Sequence, residues 1–300
     1  MVCRTNSFPL ILLFVIEVFI FIVGILLSVA FFTLFERKIL GLTQSRLGPN
    51  KIIFWGILQP ILDGVKLLTK ELFFPQFSRA WGFIFAPVLY FILILFLWLN
   101  RSFFRFFLSS NYGVFFLLAA LGGSVYTSLL TGVNSFSKFA LVGGIRASAQ
   151  TVSYEICLAI SVFSFLVIWS TFSLSFSGFS FWIYFIYWFI IVISETNRAP
   201  FDFAEGEREL ISGFNIEFGR SGFVFLFLGE YGIILFLSFF GFFIVGFIRF
   251  LTTAILSFLV ILIRSTLPRF RYDFLIGLSW FFLLPISILI FFSILFIKFS

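Results

Sequence analysis

Long apolar runs separated by short polar segments recur along the whole chain. Eight runs are long enough to cross a hydrocarbon core of about 30 Å as α-helices, at about 1.5 Å of rise per residue. Helices are expected because unpaired backbone groups are costly in lipid, and the alternating pattern of a β-barrel is absent. The pattern predicts an all-α polytopic membrane protein whose residues 1–300 form a single membrane domain, with spans at about 8–35, 80–100, 112–132, 139–169, 179–195, 221–245, 247–264 and 274–297.

The longest connection joins the first two spans and contains a second kind of pattern. Gly48 and Pro49 are expected to break any helix near the start of this loop. Farther along, polar residues recur at helical spacing with apolar residues around them, which predicts an amphipathic helix. Such a helix suits either the membrane surface or the underside of a soluble partner, and the two placements are compatible. Its polar positions are Gln59, Asp63, Lys66 and Lys70.

Basic residues are distributed unequally between the two sides of the predicted bundle. Loops 1–2, 3–4, 5–6 and 7–8 and the adjoining span ends contain fifteen of the 20 Lys and Arg residues. The opposite side has only Arg4, Arg101, Arg105, Arg249 and Lys298. Positive loops stay on the inner side of a membrane, so both termini are predicted outside and the odd loops inside.

Composition excludes several functional classes. The chain is 61% hydrophobic and 11% charged, and its net charge of +7 reflects scattered loop residues, which does not indicate nucleic acid binding. There is no histidine, and Cys3 and Cys157 are the only cysteines, so no protein-built zinc, haem or iron–sulfur site is expected. The 54 phenylalanines suggest a T-rich coding genome, as in an organelle.

The densest charge lies in residues 195–217, between the fifth and sixth spans. This segment contains six carboxylates and two arginines: Glu195, Asp202, Glu205, Glu207, Glu209, Glu217, Arg198 and Arg208. Carboxylates beside hydrocarbon are costly, which indicates proton handling or a charged docking surface; a solvated acidic loop is the simpler alternative. Pro200 and Gly206 argue against one unbroken helix here.

Carboxylates also occur at membrane depth. In the fourth span, Arg146, Gln150 and Tyr154 share one helix face, whereas Glu155 lies about half a turn out of phase and must face another helix. Glu230 lies inside the sixth span between Gly229 and Gly232, which would permit close approach of a neighbouring helix. Each carboxylate could act in function or only in helix packing, and the membrane location favours function.

The ends of two other spans also carry acids. Glu36 is predicted at the inner end of span one and Glu195 at the inner end of span five. Glu17 lies mid-depth in span one. Arg264, at the inner end of span seven, is adequately explained as a topology signal.

These residues also carry a resemblance that covers nearly the whole chain in order. The motifs are ERK at 36–38, RLGPNK at 46–51, QPILDGVKLLTKE at 59–71, RASAQTVSYE at 146–155, ETNRAPFDFAEGERELISGFNIE at 195–217, GEY at 229–231 and PRFRYD at 268–273. Together they resemble the chain 1 family of mitochondrial NADH–ubiquinone oxidoreductase, respiratory complex I.

The resemblance implies a membrane subunit between a peripheral redox arm and a proton-pumping arm of the mitochondrial inner membrane. It implies matrix-facing odd loops that dock quinone-site subunits, and small membrane subunits as further partners. Ubiquinone would be the substrate in a chamber partly enclosed by this chain. NADH, FMN and iron–sulfur clusters would belong to partner subunits only, since the chain carries no motif for them.

The resemblance also implies residue roles. The proton path and coupling group would be Glu36, Glu155, Glu195, Asp202, Glu205, Glu207, Glu209 and Glu230. The quinone chamber and its entrance would use Arg37, Arg46, Asp63, Arg198, Arg269 and Arg271. Two departures from the family pattern are Arg208, where the family has Ser, and Glu17, which has no counterpart.

Three other functions fit parts of the pattern. The membrane subunit of an ion-translocating hydrogenase is homologous and would differ in its partners. A stand-alone ion transporter or channel would move ions as the purified chain, although no internal repeat favours this class. A purely structural anchor would tolerate neutral replacement of Glu155 and Glu230.

Overall fold

The computed structural model describes residues 7–52, 54–71, 78–102, 113–171, 178–202, 217–245 and 249–299. These residues form α-helices joined by turns, with no β-strand among them. The helices are α1 (Ser7–Thr43), α2 (Gln59–Thr69), α3 (Ala80–Ser102), α4 (Gly113–Asn134), α5 (Lys138–Thr171), α6 (Gly178–Glu195), α7 (Arg220–Val245), α8 (Arg249–Thr266), α9 (Tyr272–Gly277) and α10 (Leu284–Phe299), with a π-helical turn at Leu278–Leu283 between the last two.

The prediction of an all-α polytopic membrane protein is confirmed. Within the described ranges, six helical stretches are long and apolar enough to span a membrane: Val15–Thr43, Ala80–Leu99, Gly113–Asn134, Lys138–Val167, Arg220–Gly241 and Tyr272–Phe296. The predicted fifth and seventh spans correspond to shorter apolar helices, Tyr184–Glu195 and Thr253–Thr266.

The inner end of α1 differs from the prediction. The helix continues to Thr43 rather than stopping near residue 35, so Glu36 and Arg37 lie inside the helix. Beyond α1 the chain folds back on it, and a Cβ on Gly48 would lie 2.9 Å from the Cα of Lys38. Helix α1 therefore ends only at the turn that precedes Gly48 and Pro49, and the charged residues 36–38 continue the helix.

Glycines allow the membrane helices to approach closely in two places. Gly132 of α4 meets Gly144 of α5, and a Cβ on Gly132 would lie 2.8 Å from the carbonyl oxygen of Ala140. On α7, a Cβ on Gly232 would lie 2.7 Å from Cγ2 of Ile94 on α3. The predicted close approach beside Glu230 is confirmed, and it brings α3 against the carboxylate-bearing turn of α7.

The predicted amphipathic helix is present as α2, and two of its polar residues, Gln59 and Asp63, face the protein, whereas Lys66 and Lys70 are exposed. Arg37 of α1 donates to Asp63 at 2.7 Å, and Gln59 donates to the same carboxylate at 2.8 Å. At the other end, Nε of Arg220 donates to the carbonyl oxygen of Leu68 at 3.1 Å. The apolar side is exposed, including Ile61, Leu62, Val65 and Leu68.

These contacts also bring three of the predicted inner loops to one end of the bundle. The loop after α1 meets the start of α7 through Arg220, and the turn after α6 meets the segment after α8, where the Phe270 amide donates to the Pro200 carbonyl at 3.1 Å. The charged residues of these loops are therefore neighbours in space.

The glycine contacts predict which substitution disturbs the bundle. Gly132→Ala should destabilise the protein by about 1–3 kcal/mol, because the added methyl group meets backbone that cannot move independently. Gly24→Ala in α1 is the matched control, since a Cβ there meets nothing within 4 Å. Thermal stability of the purified protein would measure both. Equal stability of the two variants would contradict the packing described.

Candidate functional site

A buried charged cluster joins α1, the turn after α6, α7 and α8. Glu36 of α1 is buried and accepts a hydrogen bond from the Tyr231 hydroxyl of α7 at 2.6 Å. The same carboxylate pairs with Arg264 of α8 and, at 3.5 Å, with Arg198 in the turn after α6. One carboxylate therefore receives donors from three different parts of the chain.

Arg198 links this carboxylate to a second one. Its guanidinium pairs with Glu230 of α7 at 3.2 Å and lies 4.0 Å from the ring centroid of Tyr231. Burial lowers the pKa of Arg198, but Tyr231, Glu230 and Glu36 more than offset burial and hold this pKa above its usual value. Arg198 is therefore a fixed cation between two carboxylates, and with Arg264 the cluster has balanced charges.

Two sets of contacts hold the turn that presents Arg198. On one side, Nε2 of Gln150 on α5 donates to the carbonyl oxygens of Ser194 at 3.2 Å and Phe201 at 2.9 Å. On the other side, Asp202 pairs with Arg269 at 3.3 Å. The turn is thus fixed at its start and at its end by groups from different helices.

A small cavity lies next to the cluster, on the side of α3, α4 and α5. Its volume is about 30 Å³, and Glu230 and Glu195 both contribute to its wall. Glu195 is buried, and its Oε2 has no hydrogen-bond partner among the described residues. The full lining is Tyr90, Ser124, Thr127, Ser128, Thr151, Glu195, Thr196, Asn197, Leu226, Glu230 and Ile233.

Glu155 continues the line of carboxyl groups. It interacts electrostatically with Glu195. Its carboxyl group packs on α4, where a Cβ added to Gly122 would lie 2.5 Å from Oε1. Polar groups therefore follow one another from Glu36 through Arg198, Glu230 and Glu195 to Glu155.

The predicted two-sidedness of α5 is confirmed. Arg146 lies over the ring of Tyr272 at 5.8 Å, and the Tyr154 hydroxyl donates to the Leu275 carbonyl at 3.1 Å. Both contacts lie toward the last helices, whereas Glu155 faces α4. The spacing of these residues in the sequence was sufficient to separate the two faces.

The remaining predicted site residues lie farther out. Arg37 and Asp63 pair between α1 and α2, and Arg269 pairs with Asp202. Arg46 and Arg271 are exposed, as is Glu17. Glu205, Glu207, Glu209 and the unusual Arg208 lie outside the described residues.

Sequence reasoning missed several members of the site. Arg264 was explained as a topology signal, yet it also contacts Glu36. Tyr231 follows Glu230 directly, and this adjacency was the available signal for it. The hydroxyl groups of α4 and the ring of Tyr90 gave no signal, because such residues are common in membrane helices.

Charge balance in the cluster predicts the effect of a neutral substitution. Glu36→Gln should destabilise the protein by roughly 3 kcal/mol, because it leaves Arg198 and Arg264 short of a buried partner. The double variant Glu36→Gln with Arg264→Gln should recover part of this loss.

Arg271→Gln is the control, since its side chain is 87% exposed and its partner Asp273 is 84% exposed. Thermal unfolding of the purified proteins measures these variants together with the single variant Arg264→Gln, which a test of additivity requires. Additive losses in the double variant would contradict a direct pairing of Glu36 with Arg264.

Comparison with known proteins gives a consistent result. A family model described as NADH dehydrogenase matches residues 16–295. NADH-ubiquinone oxidoreductase chain 1 of Anopheles gambiae is 44% identical, over 89% of this chain and 90% of the relative. The corresponding proteins of Aedes aegypti and Locusta migratoria are 42% and 41% identical, each over 92% of this chain and 93% of the relative.

Proposed function

The chain belongs to the NADH dehydrogenase family, and from this premise we propose that it is the membrane subunit of a proton-translocating NADH:ubiquinone oxidoreductase of the mitochondrial inner membrane. In this role it encloses part of the ubiquinone chamber and carries the carboxylate path that couples quinone reduction to proton pumping. The observation that carries the proposal is the line of buried and partly buried polar groups from Glu36 through Arg198, Glu230 and Glu195 to Glu155.

The charged cluster is suited to respond to quinone reduction near it, because its carboxyl groups share one arginine. Reduction of ubiquinone to neutral quinol takes up protons together with electrons, so the side chains that give up those protons change their charge. Arg198 is shared by Glu36 and Glu230, and a change in charge near one carboxylate alters how strongly the other is held. Coupling of this kind is reciprocal, because quinone binding and protonation then affect one another.

The chamber and its entrance are assigned to residues at the same end of the bundle. Arg37 and Asp63 lie between α1 and α2, and Arg269 is tied to the Arg198 turn through Asp202. Exposed Arg46 and Arg271 are placed at the entrance, where a cation can meet a partner subunit or a lipid headgroup. The acidic residues Glu205, Glu207 and Glu209 complete the coupling group.

The distribution of basic residues between the loops supports the proposed topology and partners. The basic loops face the matrix and dock the peripheral arm that holds NADH, FMN and the iron–sulfur clusters. Both termini lie on the intermembrane side. The chain acts as one membrane domain, and Glu155, at the far end of the carboxyl line, passes the signal or proton to small membrane subunits.

The quinone chamber is tested by photo-crosslinking. An azido-ubiquinone analogue added to native membranes should label the loop after α1, the inner end of α5 or residues 195–217. Excess ubiquinone should remove this label, which mass spectrometry of the chain would locate. A label confined to the exposed face of α10, or one that ubiquinone does not displace, would contradict a chamber in this subunit.

The carboxylate path is tested by Glu230→Gln in the assembled enzyme. The substitution keeps the size of the side chain but cannot carry a proton. We expect fewer protons pumped per electron, while oxidation of NADH by an artificial acceptor continues because that reaction needs only the peripheral arm.

Glu17→Gln is the matched control, since Glu17 is also at membrane depth but is exposed on α1. It should pump normally. A normal proton-to-electron ratio in Glu230→Gln would remove Glu230 from the path. The same measurement on Glu205→Gln examines the acidic segment.

A further inference from the structure

Two cations where α3 and α5 begin have no part in the proposed quinone and proton chemistry. Arg79 directly precedes α3, and Lys138 is the first residue of α5. We propose that they bind the phosphate group of an anionic phospholipid in the adjacent leaflet of the membrane. The inference depends on the membrane-spanning fold and not on the quinone chamber or the carboxylate path, so each proposal can fail without the other.

The two cations lie where three membrane-spanning stretches end together. The stretches of α3 and α5 begin beside them, and the stretch of α4 ends at Asn134. The start of α3 meets the turn between α4 and α5, because Arg79 lies over the Phe136 ring at 5.5 Å and a Cβ on Gly82 would lie 2.6 Å from Cγ of Asn134. The hydrocarbon core ends where the apolar stretches end, so both cations belong to the layer of lipid headgroups.

Neither cation is balanced by a carboxylate within the part of the chain that the structure describes. Both side chains are exposed, and the guanidinium of Arg79 meets the Phe136 ring instead of an acid. Arg198 in the charged cluster, by contrast, is paired with two carboxylates. Exposed cations at a membrane surface attract anionic lipids, and here no acid of the site competes with the lipid phosphate.

Exposed aromatic side chains surround the two cations. Trp81 of α3 is 90% exposed, and Phe136 and Phe139 are about half exposed. Phe136 is held in this position by a residue with a positive φ of 54°. Tryptophan and other aromatic rings are favoured at the boundary between headgroups and acyl chains, so these residues indicate a lipid and not a phosphate dissolved in water.

Exposed apolar surface continues from the cations along the helices. On α5, Leu141, Val142 and Ile145 are exposed and share one helix face with Lys138. Helix α4 packs against both α3 and α5. Its exposed apolar stripe is Tyr126, Leu129, Leu130 and Val133. Acyl chains that extend from a phosphate at Arg79 and Lys138 therefore find apolar surface on neighbouring helices.

A hydroxyl group between the two aromatic residues of the turn also lacks a partner. Oγ of Ser137 is buried and has no hydrogen bond among the described residues, so it does not cap α5. The first turn of α5 contains no acidic residue either. The first amide groups of this helix and the positive end of its dipole therefore add to the attraction that Arg79 and Lys138 exert on an anion.

The combination of these features is more than membrane topology requires. A topology signal needs only a charge in the loop, and it does not account for the exposed rings or the unpartnered hydroxyl group beside the cations. A zwitterionic lipid would bring a cation of its own to a site that already has two. An anionic headgroup brings none, so the charges of the site favour an anionic phospholipid.

Photo-crosslinking in the assembled enzyme tests the site. The purified enzyme is placed in nanodiscs of phosphatidylcholine that contain a rising fraction of phosphatidylglycerol with a photoreactive acyl chain. We expect label on residues 79–85 and 126–145, which mass spectrometry of the chain would locate. Unlabelled phosphatidylglycerol should displace this label, whereas additional phosphatidylcholine should not.

Charge removal should weaken this labelling selectively. Arg79→Gln and Lys138→Gln should each raise the phosphatidylglycerol fraction at half-maximal labelling about fivefold, which corresponds to about 1 kcal/mol for each cation. Arg79→Lys keeps the charge and should stay near the unmodified enzyme. Lys51→Gln is the matched control, since it removes an exposed cation from another basic loop, and it should leave the labelling unchanged.

Equal half-maximal fractions in the Lys138 and Lys51 variants would overturn the inference, because the cations would then contribute only general attraction to an anionic membrane. Displacement of the label by inorganic phosphate at constant ionic strength would assign the site to a free anion and also overturn it. Absence of a displaceable label in the assembled enzyme would show that a partner subunit covers this surface, with the same consequence. If Arg79→Gln fails to assemble, Lys138→Gln still decides, because Lys138 is exposed.

Discussion

The shared position of Arg198 between Glu36 and Glu230 is the constraint on which the arrangement of α1, α6, α7 and α8 depends. A charge removed from water is tolerated only beside an opposite charge, and here each partner comes from a different element. The turn after α6 therefore reaches between α1 and α7, and contacts with Gln150 and Arg269 hold its two ends there. The positions of these helices and the pairing of the buried charges therefore depend on each other.

Close packing of the helices keeps the space between their polar residues small. Gly232 lets α3 lie against α7 directly beyond Glu230, and Gly132 does the same between α4 and α5. The polar residues of these helices are consequently brought around a cavity of about 30 Å³. A space of this size holds one or two water molecules and excludes larger solutes.

Much of this could be predicted from the sequence, because lipid leaves few alternatives. Apolar runs located every described membrane helix, glycines marked the close approach at Glu230, and helical spacing separated Arg146 from Glu155. What could not be predicted came from contacts between distant segments. The spacing of residues along the sequence does not predict the contact of Arg264 with Glu36, because that contact depends on how α8 packs against α1. The end of α1 was also misplaced, since a charged triplet resembles a loop until its partners are known.

The distances along the chain between the cluster residues have a consequence for biogenesis. Glu36 is followed by Arg198 after 162 residues and by Arg264 after 228 residues. A ribosome feeding this chain into a membrane therefore releases the acid of the first helix long before its counterions exist. Until then the carboxyl group must stay at the water interface, take up a proton, or be shielded by the insertion machinery. The ion pairs of the first helix are accordingly complete only when the seventh membrane segment has arrived.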